Sequence, residues 1–145
     1  MGKDINFINK KTVDGFLIEI GSNPSSATGN RLMANIFEIT YATSINSSLL
    51  SNGYGGDGNN LMSSVNREDF ESASAVAKIA SDNTVAAMKA DQDKYGELIP
   101  DTEKIKRADI KDINQVGDRV FVTINLVPEA YDNPSNRNIL SVIPL

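Results

Sequence analysis

The 145-residue chain has no cysteine, no histidine and no tryptophan. Together these absences remove disulfides, thiol nucleophiles, zinc–thiolate sites, imidazole bases and imidazole metal ligands, and with them most common catalytic devices. Serines and threonines are plentiful, but without an imidazole to take the proton a hydroxyl nucleophile has no visible base. Aromatic residues make up only 6% of the chain and apolar residues 40%, a thin supply for a self-sufficient core. Basic residues are outnumbered 14 to 19 by acidic ones, for a net charge of −5. Nucleic-acid binding draws on a basic surface. Here the densest cationic group, Lys104, Lys106 and Arg107, is followed at once by Asp109 and Asp112. No window holds the roughly 18 consecutive apolar residues of a membrane span. The start, Met1-Gly2-Lys3-Asp4, leads into no signal-peptide core, and Asn6 stands where myristoylation requires Ser or Thr. The expectation is a chain made in, and staying soluble in, a cytoplasm, with no cofactor and no nucleic acid or membrane among its partners.

What is present lies mostly in the last third. Val120, Val122, Ile124 and Leu126 recur every second residue, the period of a half-buried strand whose successive side chains point to opposite faces. Gly117-Asp118 just before them is turn chemistry, so the segment reads as the second strand of a hairpin. After Pro128 and a loop at Asp132 to Asn136, residues 138–145 return to strand composition. An apolar terminal strand needs partners for its backbone groups, on its own sheet or on a neighbour's edge.

Upstream, Phe70, Ala73, Val76, Ala77, Ala80, Thr84 and Ala87 recur at three- and four-residue steps, which predicts a long helix from Asn66 to about Lys94. Asn66 is a favoured N-cap, Glu68, Asp69 and Glu71 suit the positive end of the dipole, and Gly96 and Pro100 mark the end. The stripe is mostly alanine, which allows close approach but buries little area per residue. Phe16 to Ile20 predicts a strand. Ser22 to Asn30 reads as loop. Ile36, Phe37, Ile39 and Tyr41 suggest a strand, and Ile45, Leu49 and Leu50 a short helix capped by Thr43 or Ser44. Ser51 to Ser64 reads as a long irregular loop.

Three segments invite chemistry. Gly53-Tyr54-Gly55-Gly56-Asp57-Gly58 satisfies the glycine spacing of a dinucleotide-binding turn, but Leu49-Leu50-Ser51-Asn52 is a poor preceding strand and Asn59-Asn60 a poor helix opening. The alternative is a loop ordered by its surroundings. Asp57 to Asn60 hints at a calcium loop, without its spaced acids or terminal glutamate. Glu19 and Glu38 each sit within apolar runs. Either is a candidate for the half-buried acid of a wall-degrading hydrolase, the alternative being the solvent face of a strand.

The order of the pieces resembles the baseplate wedge, or sheath-initiator, family of contractile phage tails. The likeness rests on Ile45-Asn46-Ser47-Ser48-Leu49-Leu50, the loop Asn52 to Asn60, the helix Asn66 to Lys94, Ile99-Pro100-Asp101, and the hairpin Arg107 to Leu126, roughly residues 40 to 127. The family often carries Glu-Pro-Arg before its hairpin. This chain has Ile99-Pro100-Asp101-Thr102, so contacts of that glutamate and arginine do not carry over. The resemblance implies a structural component of the tail baseplate. It would act in many copies within a virion after assembly in the host cytoplasm, with sheath, wedge and tube subunits as neighbours.

The resulting expectation is an α+β protein: a small, mainly antiparallel sheet with one long packed helix and extended N- and C-terminal arms. Residues 1–11 form the first arm, 12–127 the domain and 128–145 the C-terminal extension. The expected function is non-enzymatic assembly by strand pairing and shape. The candidate interface is Val120, Val122 and Ile124 on the hairpin with Ile139, Leu140, Val142 and Ile143 in the tail. The alternatives are a small cell-wall hydrolase or a ligand-binding module built on the glycine-rich loop.

Overall fold

The computed structural model describes residues 4–5, 7–12, 15–20, 26–45, 53–63, 70–117, 119–133 and 139–144. In chain order the elements are strands β1 (Asp4–Ile5), β2 (Phe7–Thr12), β3 (Gly15–Ile20) and β4 (Ser26–Ala27), then helices α1 (Gly29–Ala42), α2 (Gly58–Ser63) and α3 (Phe70–Lys94). Two 3₁₀ turns, Gly96–Leu98 and Asp101–Glu103, lead into strands β5 (Ile105–Val116), β6 (Arg119–Pro128) and β7 (Ile139–Pro144). The class is α+β.

The alternating run becomes β6, the middle strand of an antiparallel sheet ordered β5-β6-β7. Gly117 turns the hairpin at φ +65°, a left-handed conformation that glycine adopts without a Cβ penalty. Pairing of Ile110 with Ile124, Ile113 with Val122, and Ile143 with Val122 aligns one apolar row across all three strands. Val120, Val122, Ile124 and Leu126 all lie on that inner face and are fully buried. Helices α1 and α3 cover them through Met33, Phe37 and Tyr41 on one helix and Ala77, Ala80 and Met88 on the other.

The C-terminal strand therefore completes the chain's own sheet, in register from Leu126–Ile139 to Phe121–Pro144, and is not an extended arm. The N-terminal residues also find partners within the chain. β1 pairs with β4, and β2 pairs with β3 from Phe7–Ile20 to Thr12–Gly15, so a boundary after Lys11 would cut a strand.

The alanine stripe of α3 faces the core as expected, with Ala73, Ala77, Ala80, Ser81, Thr84 and Met88 buried. Its proposed cap, Asn66, and the acids Glu68 and Asp69 fall outside the described residues. The helix ends at Lys94, before Gly96, which opens the following 3₁₀ turn and is not a left-handed cap.

The main departure is α1. Residues 36–41, expected as a strand, continue a helix that begins at Gly29, and the loop expected over 22–30 gives way at β4 and at that helix start. Buried Asn30, Met33, Ala34, Phe37 and Tyr41 follow a helical period. No side chain of Thr28 caps the helix. Instead the Glu103 carboxylate accepts the Gly29 N–H (3.3 Å) and the Asp132 carboxylate accepts the Asn30 N–H (3.0 Å). Two negative charges thus satisfy free donors at the positive end of the helix dipole, brought there from distant parts of the chain. The short helix expected at 45–50 lies outside the described residues except for Ile45, which sits in a turn.

Candidate functional site

The glycine-rich loop is a structural clamp on the end of α1. An α-helix leaves its last carbonyls without intrahelical donors. Here the Gly56 N–H donates to Thr40 O (2.8 Å), the Asp57 N–H to Thr43 O (3.0 Å), and Asn59 Nδ2 to Ala42 O (3.3 Å). Two of the backbone N–H groups that could cradle a phosphate in a dinucleotide site, those of Gly56 and Asp57, are therefore already engaged. The glycines allow this approach: a Cβ on Gly56 would meet Thr84 Oγ1 and lie 2.8 Å from Tyr41 Cα, and one on Gly58 would enter the Tyr41 ring. Gly55 sits at φ +129°, and a Cβ there would lie 2.6 Å from the Thr43 carbonyl oxygen. The last glycine does open a helix, the six-residue α2, where an irregular loop was expected. Asp57 stabilises its start, its Oδ1 accepting from Asn60 Nδ2 (2.8 Å) and from the Ile45 N–H (3.3 Å).

Beneath this clamp the Tyr41 phenol is buried, and its oxygen has no hydrogen-bond partner among the described residues. Loss of solvation pushes its pKa from 10 up to about 12. Beside it, Tyr54 OH and Thr40 Oγ1 hydrogen-bond to each other at 2.8 Å and tie the loop to α1.

Of the two carboxylates considered for hydrolysis, Glu38 is half-buried on α1 and not on a strand face. Its Oε1 accepts a hydrogen bond from Ser141 Oγ (2.9 Å), which links α1 to β7. Glu19 lies in β3 opposite Ile8, and its side chain is outside what the structure describes. Among the described residues no group of three or more acidic residues is placed to hold a metal ion. No described helix is long and apolar enough to cross a membrane.

The candidate interface residues separate into three sets. Val120, Val122 and Ile124 lie in the core of this chain and present nothing to a neighbour. Ile139 and Ile143 belong to the inner row and pack half-buried against that core. Leu140 and Val142 lie on the opposite face of β7, where their register partners are Asn125 and Thr123. Leu140 is 44% exposed. Val142 is half-buried, and Phe121 on the same face of the sheet is buried, so Leu140 is the one candidate that is exposed.

The two outer strands are built differently. β5 is 12 residues long and carries Lys106, Arg107, Asp109, Lys111 and Asp112. Its ladder with β6 is broken by register shifts at Ile105–Arg107 and Ile110–Asp112. Charges and bulges are the usual protection of an edge against further pairing. β7, with sequence Ile-Leu-Ser-Val-Ile-Pro, has no charge and no shift in its ladder with β6, and no described strand pairs with its second edge.

A second feature is a cleft of about 240 Å³ between α1, α3 and the 3₁₀ turn at Gly96–Leu98. Leu32, Ile36, Tyr54, Met88, Leu98 and Ile99 make its walls apolar, with Asp91, Gln92 and Glu103 among them. No signal in the linear sequence pointed to it, because its walls come from segments up to 71 positions apart, Leu32 to Glu103.

Compared with known proteins, the chain matches no family model, no curated protein and no solved structure.

Proposed function

We propose that this chain is a non-enzymatic assembly component of a phage-like tail baseplate, of the wedge or sheath-initiator type. It joins a neighbouring subunit by accepting a strand at the second edge of β7. The observation that carries the reading is the contrast between the two edges of one sheet. The β5 edge has five charged residues and two bulges, while β7 is uncharged, has no register shift, is apolar but for Ser141, and carries only Pro144 at its end as a blocking residue. An uncharged apolar edge without bulges is a template for strand addition. Backbone groups then supply the bonds, and Leu140 and Val142 supply side-chain contacts on the outer face. The tail origin of the partner rests on the order of elements from residue 40 to 127 described above.

The test is replacement of the gene in its own viral or prophage genome by a Leu140→Lys variant, which places a guarding charge on the exposed face of β7. The purified variant should unfold within about 0.5 kcal/mol of the parent, as exposed substitutions usually do. Electron micrographs of lysates should show complete contractile tails lost. Lys106→Ala on the guarded edge should leave them intact. Normal tails from a folded Leu140→Lys variant would overturn the reading. Clearing of a cell-wall suspension by the parent, abolished by Glu38→Gln, would replace it with the hydrolase.

A further inference from the structure

We propose that the cleft between α1, α3 and the Gly96–Leu98 turn is a socket for one apolar side chain of a neighbouring protein, carried on a segment with Lys or Arg on either side. The inference rests on the assembly reading above and names the chemistry of a second contact, separate from the β7 edge.

Size decides between a small molecule and a side chain. Cofactor and ligand pockets run from about 300 to 1,000 Å³. At about 240 Å³ the cleft falls below that range and suits an anchoring side chain of the kind that dominates protein interfaces. Its walls are apolar, and Leu98 at its mouth is 77% exposed, the highest value among the large apolar residues described. The neighbouring Tyr95 is half exposed as well. Apolar groups gathered around a concavity mark a docking site more than scattered surface residues do.

Charge selects the partner. Asp91 and Glu103 line the cleft, no described lysine or arginine does, and Glu97 and Asp101 flank the Leu98-Ile99 wall in sequence. Glu103 is engaged by the Gly29 N–H and Asp101 by Lys104 Nζ (3.2 Å), which leaves Asp91 and Glu97 as exposed anionic groups around the mouth. Such a border favours cations flanking the inserted side chain and repels anionic partners. A second copy of this chain, at net charge −5, is a poor match for it. Nucleic acid and anionic lipid are repelled for the same reason.

The experiment uses the full chain with ¹³C-labelled Met, Leu, Ile and Val methyl groups. The probe is a twelve-residue synthetic peptide of Lys and Ala with one central Leu. Two control peptides carry Ala at the centre or Glu in place of every Lys. Addition of the Leu–Lys peptide is expected to shift the Met88, Leu98 and Leu32 methyl signals while those of Val122 and Ile124 stay fixed. Each control should bind at least about tenfold more weakly, as should the Leu98→Ala and Asp91→Lys variants, and binding should weaken between 50 and 500 mM salt. Both variants change exposed side chains, and unchanged Val122 and Ile124 signals will report that the fold is intact. Silent Met88 and Leu98 signals at millimolar peptide, equal binding of the Glu peptide, or an unaffected Leu98→Ala variant would each overturn the proposal. So would cleft signals that move with protein concentration alone, which would assign the site to self-association. Leu140→Lys should bind the peptide like the parent. Normal tails from that variant therefore refute the edge reading, and a peptide that fails to bind refutes the socket.

Discussion

Gly56→Ala tests whether the glycine-rich loop is a clamp on α1. The added methyl has no space: its position coincides with Thr84 Oγ1 and lies 2.8 Å from Tyr41 Cα and 3.1 Å from Tyr41 O. Two of these three atoms are backbone inside a helix, so relief requires moving the loop off α1 and not merely rotating a side chain. Forced overpacking of this kind costs about 1–3 kcal/mol. Displacement also lengthens the Gly56 N–H to Thr40 O bond, worth about 1 kcal/mol net. The expected loss is about 2–4 kcal/mol, or a fall in Tm of roughly 4 to 16 °C at this chain length. Gly96→Ala is the internal control. It has no described neighbour within 4 Å and no positive φ, so it should be neutral or stabilise by about 0.4–1 kcal/mol through the unfolded state. Thermal unfolding followed by circular dichroism, with urea titration alongside, separates the two. Equal stability of Gly56→Ala and Gly96→Ala would refute the clamp and return the loop to the ligand-binding alternatives.

Asn30→Ala should be among the most damaging single changes. Its buried amide donates to Thr102 O (2.7 Å) and Ala130 O (2.9 Å) and accepts from the Asp132 N–H (3.0 Å), so truncation strands three backbone groups at once. A loss of about 3–5 kcal/mol is expected by urea titration, and a loss under 1 would show that the groups find water. Tyr41→Phe should be stabilising or neutral at pH 7, because it removes a buried hydroxyl without a partner among the described residues. With the folded pKa near 12 and the unfolded one near 10, the unfolded state releases its proton first as pH rises. Parental stability is then full below pH 10 and falls by at most about 1.4 kcal/mol per pH unit between 10 and 12. The variant should lack that part of the alkaline slope in unfolding midpoints taken at pH 9 and 11. Ile124→Ala should cost about 2–5 kcal/mol of stability through core packing. A stable variant that merely failed to associate would instead restore Ile124 to an interface.

How far the sequence could be read follows from where each element finds its partners. The β5–β6 hairpin, β3 and most of α3 were legible, because their turns and periods are local. Helix α1 was not, since both its ends are satisfied by distant groups: Glu103 and Asp132 at the start, Gly56 and Asp57 at the finish. With no local cap signal, Ile36, Phe37 and Ile39 looked like β-branched and aromatic strand residues. The recurrence of Met33, Phe37 and Tyr41 every four residues was the available sign of a helix. The glycine loop misled for the same reason in reverse: its spacing suited a phosphate, but the Gly56 and Asp57 N–H groups serve a helix end. The tail strand was legible as a strand. Its pairing was not, because strand composition alone does not say on which chain the partner lies.

Placing β7 inside the sheet changes what its residues can do for assembly. An arm that ordered only on a neighbour would lose conformational entropy at the moment of binding, which weakens the contact. Here the strand is already held by six register pairs to β6 and by Glu38 through Ser141, so the edge that no described strand pairs is preorganised. Preorganisation raises affinity without adding contacts. It also means that deleting residues 132 to 145 removes the strand that flanks Val122, Ile124 and Leu126 as well as the candidate edge. Such a truncation damages folding and association together and cannot tell them apart. Leu140→Lys alters the surface of the edge and leaves its inner row, Ile139, Ser141 and Ile143, in place against the core. That separation is why the single substitution, and not the truncation, decides whether β7 is an assembly edge.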